Sequence, residues 1–176
     1  MTERIIIAGS GGQGIMLLGK VLAEAAMQED KFVSFLPSYG AEVRGGTCHC
    51  MVTISDKEVG SPYIDTADAL IIMNNPSLEK FKNRVKNKGL LFINSSLAVQ
   101  RGHKDKSSFH YPFTDIAINL GNIRVANIIA LGCFLARSGI VSLNTVSKVI
   151  SDIAPEEKKN LIEINQKALE EGSKLK

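Results

Sequence analysis

The segment IIIAGSGGQGIMLLGKVLAEAA, residues 5–26, joins a short apolar run to a glycine-dense turn and then to an amphipathic stretch. Three consecutive isoleucines that end near Gly9 are typical of a buried strand. From Ile15 to Gln28 the apolar residues recur at helical spacing. The segment therefore predicts a strand, a tight turn and a helix, which together open an α/β domain.

The turn matches the pattern G-x-G-x-x-G, with Gly9, Gly11 and Gly14 at the glycine positions and Gly12 and Gln13 between them. In this pattern the first glycine permits a tight turn, the second lets the backbone approach a ligand, and the third lets helix and strand pack closely. Free N–H groups at the start of a helix also favour an anion such as a phosphate. The turn is thus a candidate site for a small ligand or for contact with a protein.

A dinucleotide site needs a further residue that this sequence lacks. The pattern requires Asp or Glu at the end of the second strand, about 20 residues on, to bind a ribose hydroxyl. Here the second predicted strand, Phe32–Leu36, is followed by Pro37, Ser38 and Tyr39, and no Arg stands there for a 2′-phosphate. A free-standing NAD(P)- or FAD-binding protein and a regulatory nucleotide-binding module stay open, because a distant loop could supply the acid.

Strands and helices alternate along the rest of the chain. We predict further strands at Thr47–Ser55, Ala69–Met73, Leu90–Ile93 and Phe109–Pro112, and further helices from Ser77 to about Asn87, then over Asn122–Arg137, Leu143–Ile153 and Glu156–Glu171. This order predicts a single three-layer α/β domain over residues 1–176, with a Rossmann-like, mostly parallel sheet and a helical C-terminal third. The alternation breaks between Pro37 and Ser55, which marks that segment as a candidate for function.

Composition and charge argue against several classes of protein. A net charge of +3 is too small to indicate nucleic-acid binding, and we interpret the basic stretch Lys80–Lys88 as the solvated face of a helix. The apolar helix at residues 122–137 is shorter than the roughly 20 residues that a bilayer requires, so no membrane span is expected. Residues 2–4 lead directly into a strand, and three cysteines show no disulfide spacing, so a cytoplasmic location without a signal peptide is expected.

The tripeptide Cys48-His49-Cys50 contains residue types that bind metals. Residues i and i+2 of a strand share a face, so the two thiols point together and His49 points away. Three ligands cannot converge from this tripeptide, and Cys133 lies far along the chain. We interpret the thiols as small core residues, as free cysteines often are, and predict no metal site.

A second motif, PSYGAEVRGGTCHCMVTIS at residues 37–55, holds three glycines around the charged pair Glu42 and Arg44. With G-x-G-G-Q-G at residues 9–14 and P-x-x-G-x-E-x-R-G-G at residues 37–46, the chain resembles the gamma subunit of 2-oxoacid:ferredoxin (acceptor) oxidoreductases, the pyruvate/ketoisovalerate oxidoreductase gamma domain family. Supporting pieces are DALII from Asp68 and NIRVANIIALG from Asn122. In the latter we expect Arg124 and Asn127 to be paired inside the protein or across an interface.

The resemblance implies an accessory subunit of an enzyme that oxidatively decarboxylates a 2-oxoacid with coenzyme A. Such enzymes form an acyl-CoA and CO2 and reduce ferredoxin. Their thiamine diphosphate lies between the alpha and beta subunits, and their iron–sulfur clusters lie elsewhere, including ferredoxin-like subunits. This chain has no thiamine-diphosphate signature and no four-cysteine run, so we expect it to bind no cofactor alone and to hold no catalytic residue.

The resemblance further implies that the two motifs contact a ligand or a partner subunit. The residues concerned are Gly9, Gly11, Gly12, Gln13, Gly14, Tyr39, Gly40, Glu42, Arg44, Gly45 and Gly46. Docking is favoured over a part in shaping the coenzyme A or thiamine-diphosphate end of the active site, and the isolated chain is a candidate homo-oligomer. A free-standing gamma chain favours 2-oxoglutarate as the substrate, with pyruvate, branched-chain 2-oxoacids and indolepyruvate left open.

Overall fold

The structure is a computed structural model that describes residues 1–38, 47–99, 107–154 and 156–175. Its strands are β1 (Thr2–Ser10), β2 (Phe32–Ser38), β3 (Thr47–Ser55), β4 (Ala67–Ile72), β5 (Val85–Asn94) and β6 (Ser108–Tyr111). Its helices are α1 (Ile15–Gln28), α2 (Asn75–Phe81), α3 (Phe113–Asn119), α4 (Ala126–Ser138), α5 (Leu143–Asp152) and α6 (Ile162–Lys174). Short 3-10 turns occupy Lys82–Arg84, Ile123–Val125 and Glu156–Leu161.

Within the described residues, one six-stranded sheet has the order β2-β3-β1-β4-β5-β6. Strand β3 runs antiparallel to both of its neighbours, while β1, β4, β5 and β6 pair in parallel. Since β2 and β1 both oppose β3, they point the same way. The predicted mostly parallel α/β sheet is therefore confirmed, with one antiparallel strand inserted between β1 and β2.

Alternate residues of β1 enter two separate cores. Ile5 and Ile7 pack beneath α1 and the later helices, whereas Ile6 and Ala8 face α2 on the other side of the sheet. All four side chains are fully buried. A strand buried on both faces reads as a continuous apolar run, which is why its sequence does not alternate with polar residues.

Helix α4 forms the centre of the larger core and crosses α6 at very short distance. A Cβ at Gly132 would overlap the carbonyl of Leu169, and one at Gly172 would overlap the carbonyl of Ile129. The predicted helix at residues 122–137 is divided, since a 3-10 turn precedes α4, but it ends as predicted at Gly139 in the left-handed conformation. Among the described helices, none combines the length and the apolar character needed to cross a bilayer.

The prediction of a helix from Ser77 to about Asn87 is wrong at both ends. The Asn74 side chain accepts a hydrogen bond from the Ser77 N–H at 3.0 Å, so Asn74 is the N-cap and Ser77 lies inside α2. The helix ends at Phe81, and Val85 pairs with Ala67 as part of β5. The basic stretch at residues 80–88 is therefore not one helix face but the end of α2, a 3-10 turn and the start of β5.

Strand β2 also continues past its predicted end at Leu36. Pro37 pairs with Cys50, and Ser38 pairs with His49. Strand β2 lies at the edge of the sheet, where proline is tolerated because its missing N–H need not serve a second neighbour. The strand thus reaches the level of the glycine turn.

Candidate functional site

The glycine turn lies where β1 ends and α1 begins. The adjacent parallel strands β1 and β4 are followed by α1 and α2, which pack on opposite faces of the sheet. Open α/β sheets bind ligands at such a point, in the crevice outside the carboxyl ends of the two strands. The carboxyl edge of the sheet is therefore the candidate site.

The first glycines of the turn differ in how much space surrounds them. A Cβ at Gly9 would lie 2.6 Å from Gln13 Oε1 and 2.7 Å from Ile15 Cδ1, so a side chain there would displace Gln13 and Ile15. A Cβ at Gly11 would meet no atom within 4 Å, so Gly11 faces open space, and Gly12 has a φ of 92°. The left-handed backbone conformation in the turn is adopted by Gly12 and Gly14.

Gly14 lies against a helix from the far end of the chain. Its φ is 72°, and a Cβ there would overlap the amide nitrogen of Asn127. Asn127 Nδ2 donates to the Gly14 carbonyl at 3.0 Å, and Asn127 Oδ1 accepts from the Ile128 N–H at 2.9 Å. The close packing predicted between Gly14 and the strand is therefore made with α4. Asn127 is buried and paired inside the protein as expected, while Arg124 is exposed.

Two side chains bridge the crevice between β1 and β4. Gln13 Oε1 accepts from the Ser10 N–H at 2.7 Å, while Gln13 Nε2 donates to the Met73 carbonyl at 3.2 Å. Asn74 Nδ2 donates to Ser10 Oγ. The side-chain amides of Gln13 and Asn74 are thus used to join the two strands.

A second set of hydrogen bonds lies further along the edge and joins the end of β5 to the start of α3. Asn94 Nδ2 donates to the Met73 carbonyl at 3.2 Å and to Thr114 Oγ1 at 2.8 Å. The Thr114 N–H donates back to Asn94 Oδ1 at 3.2 Å. Sequence reasoning missed Asn74, Asn94 and Thr114 as site residues. The available signal was a polar residue directly after each of two apolar strands, where parallel strands bring such residues to one edge.

The second motif is anchored at the same edge. Thr47 pairs with Ser10 across β3 and β1, and Ser38 ends β2 beside His49. The predicted site residues between these anchors lie outside the described residues; they are Tyr39, Gly40, Glu42, Arg44, Gly45 and Gly46. Thr47 therefore lies beside the glycine turn, whereas Ser38 lies at the same edge of the sheet but two strands away from β1.

The tripeptide at residues 48–50 is arranged as its strand pattern predicts. Cys50 is fully buried beneath α1, and burial raises the pKa of its thiol to about 12. Cys48 packs on the same side, and burial raises its pKa as well. His49 lies on the opposite face with its ring centroid 4.8 Å from that of Phe81. Loss of hydration, with the nearby charges of Lys80 and Arg84, lowers the pKa of His49.

Large apolar side chains are exposed around this edge. We define the carboxyl-edge surface as Leu17, Leu97, Val99, Ile118 and Ile123, which are each 45–66% exposed. They lie on segments that follow the carboxyl ends of β1, β5 and β6. Large apolar side chains exposed at one edge of a protein are typical of a protein-binding surface.

Comparison with known proteins assigns the chain to a family. Residues 4–175 match the family model for pyruvate ferredoxin/flavodoxin oxidoreductase. The chain belongs to this family. It is 38% identical over 173 residues to ketoisovalerate oxidoreductase subunit VorA of Methanothermobacter thermautotrophicus, a match that covers 97% of this chain and 35% of that protein. The chain thus spans about a third of that relative's length.

Other members of the pyruvate ferredoxin/flavodoxin oxidoreductase family match this chain over nearly their whole length. The 2-oxoglutarate synthase subunit KorC of Methanocaldococcus jannaschii is 33% identical over 168 residues, which covers 92% of this chain and 90% of KorC. The solved gamma subunit of a keto/oxoacid ferredoxin oxidoreductase from Geobacter sulfurreducens has a TM-score of 0.87 at 30% identity. That match covers 99% of this chain and 96% of the solved chain. The resemblance inferred from the two motifs is confirmed.

The strand order of the sheet also explains why the second strand does not end in an Asp or Glu that could bind a ribose hydroxyl. In dinucleotide-binding domains the second strand lies beside the first, so that an acid at its end reaches the ribose. Here β3 separates β1 from β2. At roughly 4.8 Å per strand, the end of β2 is displaced by a further strand width from the glycine turn. A free-standing dinucleotide-binding protein is therefore not favoured.

Proposed function

We propose that this chain is the gamma subunit of a 2-oxoacid:ferredoxin (acceptor) oxidoreductase complex. The complete complex would decarboxylate a 2-oxoacid with coenzyme A, giving an acyl-CoA and CO2 while two electrons pass to ferredoxin. Support comes from the family match over residues 4–175 and from relatives of equal length that are named as subunits. We expect the chain to be inactive alone and the complex to be cytoplasmic.

The structural observation that carries this proposal is the exposed apolar surface around the crevice. Inside the crevice, Gln13 joins the Ser10 N–H to the Met73 carbonyl, and Asn74 donates to Ser10 Oγ. Around it, the carboxyl-edge surface exposes large apolar side chains to water. Large exposed apolar side chains gathered at one edge of a protein are typical of a protein-binding surface. We therefore propose that the glycine turn supports docking on partner subunits.

The cofactors expected of such a complex belong on its other subunits. An iron–sulfur cluster takes four cysteine thiolates, and this chain has three cysteines in all. Burial raises the pKa of Cys50 to about 12 and that of Cys133 to about 11, so both stay protonated thiols. These residues do not fit a cluster. Thiamine diphosphate is proposed at the alpha–beta interface, and the clusters in ferredoxin-like subunits.

The second motif is proposed as part of the same docking surface. Glu42 and Arg44, with Tyr39 and the glycines around them, are joined to Ser38 and Thr47 at this edge. A charged pair in a glycine-rich segment can adopt a shape fitted to a partner and then bond to it. Arg44→Ala is expected to reduce assembly of the complex or its turnover, and unchanged assembly and turnover would remove the motif from the proposal.

For the substrate we propose 2-oxoglutarate, because KorC matches this chain over 90% of its own length. A branched-chain 2-oxoacid is the second candidate, because VorA has the higher identity of 38%. The substrate pocket is expected mainly on other subunits. The test is purification of the complex through a C-terminal tag on this chain, followed by ferredoxin reduction with each 2-oxoacid in the presence of coenzyme A. The preferred oxoacid is then read from kcat/KM.

A further inference from the structure

An apolar groove lies directly beside the glycine turn. Its volume is about 360 Å³, and it is formed by α1, the start of α4, the end of α5 and the segment that precedes α6. The apolar lining is supplied by Leu17, Val21, Val125, Ile128, Ile150 and Ile153. A groove of this volume is within the range that accommodates a bound group.

The groove is continuous with the carboxyl-edge surface. Asn127 lines it and also donates to the Gly14 carbonyl at 3.0 Å. Leu17, in the first turn of α1, is both a lining residue and 45% exposed. Ile123 stands between two lining residues, Asn122 and Arg124, and is 58% exposed. The groove therefore extends the proposed docking edge along the side of α1 and α4.

Among the described residues that line the groove, Arg124 carries a positive charge. Arg124 is a lining residue and is exposed, and no carboxylate of the described residues lies within salt-bridge distance of its guanidinium. An arginine fork at the rim of an apolar groove is suited to a carboxylate, which it can bind through two parallel hydrogen bonds. The site thus combines apolar lining with one positive charge.

We propose that this groove receives a segment of a partner subunit that inserts apolar side chains and pairs a carboxylate with Arg124. This inference rests on the proposed function, since it names what docks at the carboxyl edge. A small molecule held in the groove would leave Ile123, which is not a lining residue, in water, whereas a chain segment that crosses the groove covers Ile123 as well as Leu17. Arginine is among the residue types enriched in the contacts that dominate binding energy at protein interfaces.

The test uses the complex purified through this chain, with a photo-crosslinking residue at one position. Leu17→p-benzoylphenylalanine is expected to crosslink to another subunit, at a segment with Asp or Glu among apolar residues. Met27→p-benzoylphenylalanine is the control, because Met27 is on the same helix and 63% exposed but far from the groove. Crosslinking from position 17 only to a second copy of this chain, or no more than from position 27, would overturn the inference.

A charge reversal supplies a second readout that does not depend on crosslinking. Arg124→Glu is expected to lower the affinity of the partner subunits about tenfold or more, as for a paired interface charge. Lys148→Glu is the matched control, since Lys148 is exposed on α5 and outside the groove lining. Replacing the crosslinked carboxylate residue by lysine is expected to restore binding to Arg124→Glu. Equal binding by the two variants would contradict the inference.

The outcomes separate this inference from the proposed function. If the complex assembles and is active while position 17 gives no crosslink and Arg124→Glu binds normally, only the groove inference fails. If the unmodified chain purifies without any thiamine-diphosphate subunit, the proposed function fails and the groove inference fails with it. Thermal unfolding of each isolated variant shows whether a loss of binding comes from a loss of folding.

Discussion

The side-chain amide of Asn127 donates to the carbonyl of Gly14 at 3.0 Å, although the two residues are 113 positions apart. This contact joins the start of α4 to the start of α1. It also fills the space that a side chain at position 14 would need. The shape of the glycine turn is therefore set by a distant helix as well as by its own glycines.

Gly14→Ala is expected to lower the free energy of unfolding by about 2–4 kcal/mol, because the new Cβ combines a left-handed φ with overlap on Asn127. Chemical denaturation of the isolated chain measures this. Gly11→Ala is the matched control and is expected to change stability by less than about 0.5 kcal/mol, since position 11 faces open space. Equal effects of the two substitutions would show that the turn is not held as described.

Gln13→Glu tests the bridge across the crevice. The carboxylate can still accept from the Ser10 N–H, but it cannot donate to the Met73 carbonyl and would repel it. We expect a loss of about 1–3 kcal/mol in the free energy of unfolding. Gln166→Glu on α6 makes the same chemical change and also removes a donor, to Ser151 Oγ at 3.2 Å, but it should cost much less because that bond is exposed to water. A Gln13 variant as stable as the Gln166 variant would argue against the bridge.

His49 should make stability depend on pH near neutrality. Its pKa in the folded protein is below the ordinary value of 6.5, chiefly because burial disfavours the charged ring. As pH falls through 6.5, the unfolded chain binds this proton more readily than the folded chain, so stability falls. The fall should be smaller in His49→Gln, measured by denaturation between about pH 8 and pH 5. Parallel curves for both proteins would contradict the assignment.

The three thiols should differ in their reaction with an alkylating reagent at pH 8. Cys50 and Cys133 are fully buried with pKa values raised to about 12 and about 11, so both should be protected in the folded chain. Cys48 is half-buried and should react first, though more slowly than in denaturant. Mass spectrometry of the alkylated peptides gives the order in which the three thiols react. Rapid labelling of Cys133 would place it outside the core.

The local parts of this fold could be predicted from sequence, because their causes are local. Ile5–Ile7 and the glycines that follow specify a buried strand and a turn by residue type and spacing alone. The faces of the strand at residues 47–55 were also predictable, and the structure confirms Cys50 and His49 on opposite sides. The family could also be identified from sequence, because the resemblance rests on the two glycine-containing motifs at residues 9–14 and 37–46.

Features that depend on contacts between distant segments could not be predicted. The pattern of β3 shows which residues share a face, but it does not show that β3 runs antiparallel between β1 and β2. The N-cap at Asn74 is an exception with a local signal, because Pro76 in the first turn favours a helix that begins before Ser77. The contact of Gly14 with Asn127 and the bond from Gln13 to Met73 require the assembled sheet.

The central claim is that this chain works as a docked subunit of a 2-oxoacid oxidoreductase. The most direct measurement is ferredoxin reduction by the partner subunits with 2-oxoglutarate and coenzyme A, with and without added purified chain. We predict that activity requires the chain and that Leu17→Glu, at the carboxyl-edge surface, fails to restore it while Met27→Glu succeeds. Full activity without the chain, or equal rescue by both variants, would contradict the account.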